Sequence, residues 1–125
     1  MSASNYLENA FANALRGGGN GTSYTAPAAV YVKLHTGDPG EDGTSNAAGN
    51  TSRQAVEFGA ASGGVISLTN SPSWTSVSTT ETYSHISLWD NSTAGNCLGA
   101  GALSSSVSVT AGDTFNLTAL TYTFT

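Results

Sequence analysis

Charged side chains are scarce in this chain. Asp, Glu, Lys and Arg together make up 9% of the residues, whereas roughly 25% is usual in soluble domains. The polar surface must therefore come from Ser, Thr, Asn and Gly, and such a surface packs closely against neighbouring molecules. This composition favours a component of an assembly over a free cytosolic enzyme.

Positive charge is especially scarce. The chain has three basic residues against eight acidic ones, which gives a formal net charge of −5. A protein that binds nucleic acid needs a basic stripe that displaces counterions from the phosphates. Arg16, Lys33 and Arg53 are scattered along the sequence and form no such stripe. Nucleic-acid binding is therefore excluded as a class of function.

The sequence also lacks cysteine pairs and long apolar runs. The single Cys97 permits no disulfide within the chain. No stretch approaches the roughly 18 apolar residues that are needed to cross a bilayer. The N-terminus lacks the basic and apolar regions of a signal peptide. We therefore expect a protein that is made in a cytoplasm and does not associate with membranes.

One helix is predicted, at the N-terminus. Its apolar residues recur at the spacing of a single helical face: Leu7, Ala10, Phe11, Ala14 and Leu15. We expect Asn5 as the N-cap with Glu8 three residues later, Arg16 in the last turn, and an end at the glycines 17–19. The simpler interpretation is that the helix packs on its own domain. The alternative is an arm, residues 1–21, that docks on a neighbouring subunit through a flexible hinge at 17–21.

After Pro27 the sequence follows the two-residue period of β-strands. The candidate strands are short and separated by turn residues: 28–35, 53–58, 65–69, 74–77, 82–89, 97–103, 107–109 and 115–124, the last with a bulge near residues 119–120. This spacing predicts an all-β fold, an antiparallel β-sandwich or jelly-roll-like domain over residues 22–125.

Residues 36–52, here called the long loop, separate two of these strands. A loop of this length in a compact domain is usually functional or mobile. Asp38, Glu41 and Asp42 lie close together next to Gly43, and calcium binds closely spaced carboxylates. The spacing of an EF-hand is absent. We therefore expect a solvated turn here rather than a metal site.

Catalysis was considered around the two histidines, His35 and His85. Ser84, His85 and Asp90 can be combined into a hydrolase triad on paper, but adjacent strand residues point to opposite faces. No G-x-S-x-G elbow is present, and the glycines 17–21 lack the Lys of a phosphate-binding loop. Both histidines are expected to face solvent or a subunit interface. Neither an enzyme nor a cofactor is expected.

Four aromatic residues qualify as a platform for sugars: Tyr31, Trp74, Tyr83 and Trp89. Aromatic rings fill a core or a protein interface equally well. The strand period places Trp89 on one face with Tyr83, His85 and Ser87, opposite the core residues Ile86 and Leu88. That aromatic face is expected to be a second core layer or a contact surface, with sugar binding as the alternative.

Short segments distributed along the chain resemble a known family: NYLEN (5–9), YTAPA (24–28), VYVKLHT (30–36), DP (38–39), RQAV (53–56), FGAA (58–61), ISLWD (86–90), GAL (101–103) and GDTF (112–115). They resemble a family of small structural proteins of tailed bacteriophages, commonly labelled tail fibre protein, over nearly the whole chain. The resemblance implies a non-enzymatic virion protein made in the cytoplasm of a bacterial host. A fibre shaft would show repeats or heptads, which this chain lacks.

The resemblance implies two alternative functions. The first is a capsid decoration or cement protein on the outer head surface, which contacts the major capsid protein, other virion proteins or further copies of itself, for instance as a trimer. The alternative is a tail-fibre or tail-tip module that recognises host surface glycans through Trp89, Tyr83 and residues 91–96. A cell-wall enzyme that uses His85 and Glu81 is a third, weaker alternative. The residues expected to contact partners are Tyr6, Leu7, Phe11, Leu15, His35, Asp38, Arg53, Tyr83, His85 and Trp89.

Overall fold

The computed structural model describes residues 1–124 and is built around one antiparallel sheet. The strands of this sheet are β1 (Ser2–Ala3), β2 (Val30–His35), β3 (Gln54–Val56), β6 (Glu81–Trp89) and β7 (Cys97–Val109). Their order in the sheet is β1-β7-β6-β2-β3. Two small antiparallel sheets pair β4 (Val65–Ser67) with β9 (Thr121–Thr123) and β5 (Ser73–Trp74) with β8 (Phe115–Asn116). One short helix, α1 (Asn5–Ala14), completes the described chain. The prediction of an all-β, antiparallel fold with a short N-terminal helix is confirmed.

The core joins the large sheet to the two small ones. Leu34 and Ile86 on adjacent strands are fully buried, as the alternating pattern predicts. From the small sheets, Trp74 and Phe115 pack with their ring centroids 5.6 Å apart, and Phe115 meets Tyr83 of the large sheet at 5.3 Å. Aromatic rings at these separations add to the stability that comes from burying their area.

Several strand boundaries differ from the prediction. Strand β7 is continuous through the segments predicted as 97–103 and 107–109. The residues between them are serines, and none is a proline or glycine that would end the strand. The predicted strand 115–124 is divided into β8 and β9, and the expected bulge is the gap between them. In that gap Leu117 N donates to Pro72 O and Leu120 O accepts from Leu68 N. The change of phase therefore marks a transfer of the chain from one small sheet to the other.

The N-terminal segment packs on its own domain. Strand β1, which the sequence did not predict, pairs with β7 at Ser2–Ala100 and Ala3–Gly99. The N-cap is Ser4 and not Asn5: its Oγ accepts from Leu7 N at 3.1 Å and donates to the carbonyl of Cys97. The helix ends at Ala14, so Arg16 lies beyond the C-cap Leu15 and not in the last turn, where it was expected.

The glycines after the helix form a closed turn. Gly17 has a φ of 57°, a conformation that favours glycine. Its carbonyl accepts from Gly21 N, and Thr22 N donates back to Asn13 O at 3.0 Å. In this structure the chain therefore returns directly onto the helix. Within residues 1–124, no helix is long and apolar enough to traverse a bilayer.

Candidate functional site

Strands β6 and β7 supply the floor of the candidate site, and two irregularities in their pairing change which side chains of β6 share a face. Its register against β7 shifts between Tyr83 and His85, and again between Leu88 and Trp89. A shift of one residue moves a side chain to the opposite face. Tyr83 is consequently fully buried in the core, whereas His85 stays partly exposed. Burial of Tyr83 and Trp89 agrees with the expected alternative of a second core layer, whereas His85 is partly exposed and does not share their environment.

His35 is fully buried, contrary to the expectation that it faces solvent or an interface. Its Nδ1 lies 2.9 Å from Ser45 O and its Nε2 lies 2.7 Å from Ser87 Oγ. Trp89 Nε1 donates to the same hydroxyl at 2.7 Å. A carbonyl only accepts and an indole only donates, so Nδ1 carries the proton and Ser87 donates to Nε2. The imidazole is neutral, and burial lowers the pKa of His35.

The long loop is fastened to the sheet at several points. His35 holds Ser45 near its middle, and Ala48 N donates to Leu34 O at 3.1 Å. Near its end, the carboxylate of Glu81 accepts from Gly49 N at 2.8 Å and from Asn50 N at 3.1 Å. These contacts connect the second half of the loop to strands of the large sheet. Ser45 N donates to Pro39 O at 2.9 Å and holds the first half of the loop against the second.

Trp89 lies beneath other side chains and is only 6% exposed. The guanidinium carbon of Arg53 is 4.1 Å from the centroid of its ring, which is the geometry of a cation–π contact. Arg53 also donates to the carbonyls of Asn91 and Ala94 at 2.8 and 2.7 Å, and so fixes the loop after β6. The indole face is thus occupied within the protomer and offers no open platform for a sugar.

A groove, here called the loop groove, lies between residues 2–6 and the tip of the long loop. It consists of two cavities of about 370 and about 320 Å³ that share Glu41 as a lining residue. The first, the histidine end, is lined by Ser2, Ala3, Asp38, Gly40, Glu41, His85, Ala100, Gly101 and Ala102. The second, the tyrosine end, is lined by Ser4, Asn5, Tyr6, Glu41, Asp42, Thr44, Trp89, Gly95, Asn96 and Cys97.

The tip of the long loop is folded closely onto the floor of this groove. Gly43 has a φ of 72°, and a Cβ added there would lie 2.6 Å from Cys97 Sγ and 3.0 Å from Trp89 Cζ2. Only glycine fits such a position without displacing its neighbours. Gly43 therefore determines how closely Glu41 and Asp42, the acidic residues of the loop tip, approach Trp89 and Cys97.

The carboxylates of the loop differ in their hydrogen bonding. Asp38 Oδ1 accepts from Gly40 N at 3.0 Å, and Asp42 Oδ1 accepts from the backbone and hydroxyl of Thr44 at 3.1 and 2.8 Å. The bonds from Thr44 lower the pKa of Asp42. Glu41 is exposed and takes no hydrogen bond from the described chain. The residues from 1 to 124 contain no group of three His, Cys, Asp or Glu that fits a metal ion.

The structure places the predicted partner-contact residues in four environments. Tyr6, Asp38 and His85 line the loop groove. Phe11 and Leu15 are exposed on α1, and Arg53 lies half-buried over Trp89. The remaining four, Leu7, His35, Tyr83 and Trp89, are buried within the protomer. The sequence analysis missed Asn5, Glu41 and Asn96 as members of one site, because they come from three distant segments that only the folded chain brings together.

A second exposed feature, here called the helix patch, consists of Phe11, Leu15, Tyr24 and Phe124. Phe11 meets the rings of Tyr24 and Phe124 at centroid distances of 5.3 and 5.7 Å. Phe11 and Phe124 are each more than one third exposed, and Leu15 is 86% exposed. The aromatic rings attach α1 to the C-terminal strand and leave an apolar surface on the outside.

Comparison with known protein families assigns the chain to one of them. The family described as Podophage GP4 fiber I protein gp80 matches residues 2–125. No curated protein sequence matches the chain. The match covers nearly the whole chain and agrees with the resemblance carried by its short segments. The chain therefore belongs to this family of phage fibre proteins and is a structural component of the virion, assembled in the host cytoplasm.

Proposed function

We propose that this protein is a receptor-recognition domain of a phage fibre and binds host surface glycans in the loop groove. The observation that carries the proposal is the tyrosine end of the groove. There Tyr6, which is 42% exposed, lines the same cavity as the exposed Glu41 and Asn96. A ring face beside planar hydrogen-bonding groups suits a sugar, which has one apolar face and a rim of hydroxyls.

The polar groups at this end are available to a ligand. Asn96 donates its amide N–H to Asp90 at 3.0 Å, which leaves its side-chain oxygen as an acceptor. Tyr6 and Asn5 make no side-chain hydrogen bond to the described chain. Carboxylate and amide oxygens accept from sugar hydroxyls, and the phenol of Tyr6 both donates and accepts. The groove thus offers several directed contacts around one ring.

The rigidity of the walls supports binding. The long loop is fixed through His35 and Glu81, and the opposite wall is fixed through Ser4 and the β1–β7 pairing. A preformed site loses less conformational entropy when a ligand binds. Single sugar sites are nevertheless small, so attachment of a virion depends on several copies that bind at once. The proposal is one of recognition without catalysis.

The test uses the purified chain and the surface polysaccharide of the phage's host, immobilised for binding measurements. We expect Tyr6→Ala and Glu41→Gln each to weaken binding by about three- to tenfold, as expected for the loss of one polar or stacking contact. Leu15→Ala is the matched control, because Leu15 lies on the same helix and is fully outside the groove. Unchanged binding by both groove variants, or no binding by the wild-type chain, would contradict the proposal.

Capsid decoration is the second candidate, and the helix patch favours it. Exposed apolar side chains on α1 are the surface expected of a domain that is seated on a protein shell. The number of copies per purified virion distinguishes the two functions. A number close to that of the major capsid protein supports decoration of the head. A number close to that of known tail components supports the fibre function.

A further inference from the structure

We propose that the loop groove takes a short oligosaccharide of neutral or amine-bearing sugars that extends from Tyr6 to His85. This inference rests on the proposed function and adds the length and charge class of the ligand. The two ends of the groove share Glu41, and their common wall is the continuous segment from Ser2 to Tyr6. That segment passes from β1 through the N-cap Ser4 into the first turn of α1, so the two ends of the groove lie along different elements of the same wall.

The histidine end has room for a second sugar unit. Its floor consists of the small residues Ala100, Gly101 and Ala102, which leave about 370 Å³ above them. Contrary to the expectation that Ser84 and His85 point to opposite faces, His85 Nδ1 lies 2.8 Å from Ser84 Oγ next to the register shift. The Nε2 of His85 has no hydrogen-bond partner in residues 1–124. That nitrogen is available to a hydroxyl of a ring that lies beyond the one at Tyr6.

The charge of the lining selects the class of sugar. Asp38, Glu41 and Asp42 line the groove, and no Lys or Arg of the described chain does so. A uronic acid, a sialic acid or a phosphorylated sugar would place a second anion beside these carboxylates without a compensating cation, and unpaired like charges oppose binding. An ammonium group on a sugar would be attracted, and neutral hydroxyls would donate to the carboxylates.

The experiment uses oligosaccharides released by mild acid from the surface polysaccharide of the phage's host and separated by charge and by length. Binding of each fraction to the full chain is measured by titration. We expect affinity for uncharged or cationic fractions to increase by about three- to tenfold from the shortest to the longer oligosaccharides, because the second unit adds contacts at His85. Anionic fractions of equal length should bind at least about threefold more weakly.

Variants at the two ends separate the possible outcomes. His85→Ala should abolish the gain with length and leave the affinity of the shortest fraction unchanged, and Glu41→Gln should reduce the discrimination against anionic fractions. Leu15→Ala should alter neither property. If fractions of every length bind equally, or if anionic fractions bind as well as neutral ones, the inference is wrong while recognition at Tyr6 stands. If no fraction binds, the proposed function and the inference both fail.

Discussion

The imidazole of His35 and the hydroxyl of Ser87 lie 2.7 Å apart, and this contact joins the start of the long loop to the middle of β6. Ser87 also accepts from the indole of Trp89, which carries Arg53 on its face. A buried network in which every polar group is satisfied holds its members in one arrangement. His35 therefore helps to hold the wall of the loop groove, although it does not itself line the groove.

This network makes the stability of the protein sensitive to acid. Burial lowers the pKa of His35 in the folded state, whereas an unfolded histidine has a pKa of about 6.5. Below that pH the unfolded chain takes up the proton more readily, so the free energy of unfolding falls as the pH falls; above it the contribution is fully present. Denaturant midpoints between pH 7.5 and pH 5 test this before most carboxylates titrate.

Two variants test whether His35 causes the loss of stability at acidic pH. His35→Gln should be less stable at neutral pH but should lose less further stability between pH 7.5 and pH 5. His85→Gln removes one group that faces His35 but should keep most of the pH dependence, because burial is the main cause of the lowered pKa of His35. An identical pH dependence in the wild type and in His35→Gln would contradict the assignment.

Arg53 is expected to protect Trp89 from solvent. Its guanidinium covers the ring at 4.1 Å and makes hydrogen bonds to Asn91 and Ala94. Replacement by Ala should destabilise the fold by about 1–3 kcal/mol, since both the stacking and the hydrogen bonds are lost. Acrylamide should quench the tryptophan fluorescence more strongly, and the increase reports Trp89 because Trp74 is 1% exposed. Lys33→Ala should have a smaller effect, as Lys33 Nζ lies 5.9 Å from the ring.

The large sheet was predictable from the sequence because its strands carry a local signal. Val32, Leu34, Ile86 and Leu88 alternate with their neighbours, and the structure buries all of them. Strand β1 has two residues and no pattern of its own, and it exists only because Gly99 and Gly101 allow its close approach to β7. Such a strand cannot be predicted from its local sequence.

The groove was less predictable than the sheet, for a physical reason. The register shift between Tyr83 and His85 changes which of them faces the core, and such a shift depends on the partner strand β7 and not on the local sequence. The local pattern of the acidic tip predicts a solvated turn and carries no signal for a groove wall. Its neighbours Tyr6 and Asn96 are distant in sequence, and their meeting depends on the Ser4 cap and on the bonds of Arg53.

The Ser4 cap is expected to be more important for stability than the adjacent Asn5. Ser4 is 1% exposed, accepts from Leu7 N and donates to the Cys97 carbonyl. Ser4→Ala leaves both partners unsatisfied and should cost about 1–2 kcal/mol. Asn5→Ala removes an exposed side chain and should change the free energy of unfolding by less than about 0.5 kcal/mol. Urea unfolding of both variants measures these differences. Equal losses in the free energy of unfolding would mean that Asn5 shares the capping role.

Gly43 provides the most direct test of how the loop closes on the groove. An Ala at this position adds a Cβ at 2.6 Å from Cys97 Sγ and adopts a φ of 72°. We expect a loss of about 2–4 kcal/mol, from the steric contact and from the backbone conformation together.

Gly63→Ala separates the two causes of that loss. Gly63 has a φ of 60° and has nothing within 4 Å of an added Cβ, so it should lose only the conformational part, about 1 kcal/mol. Cys97→Ala combined with Gly43→Ala should recover part of the loss, because removal of the sulfur relieves the closest contact, and a double-mutant cycle measures the coupling. If Gly43→Ala costs no more than Gly63→Ala, the loop tip has room to move away from Cys97, and the groove is not held at one width.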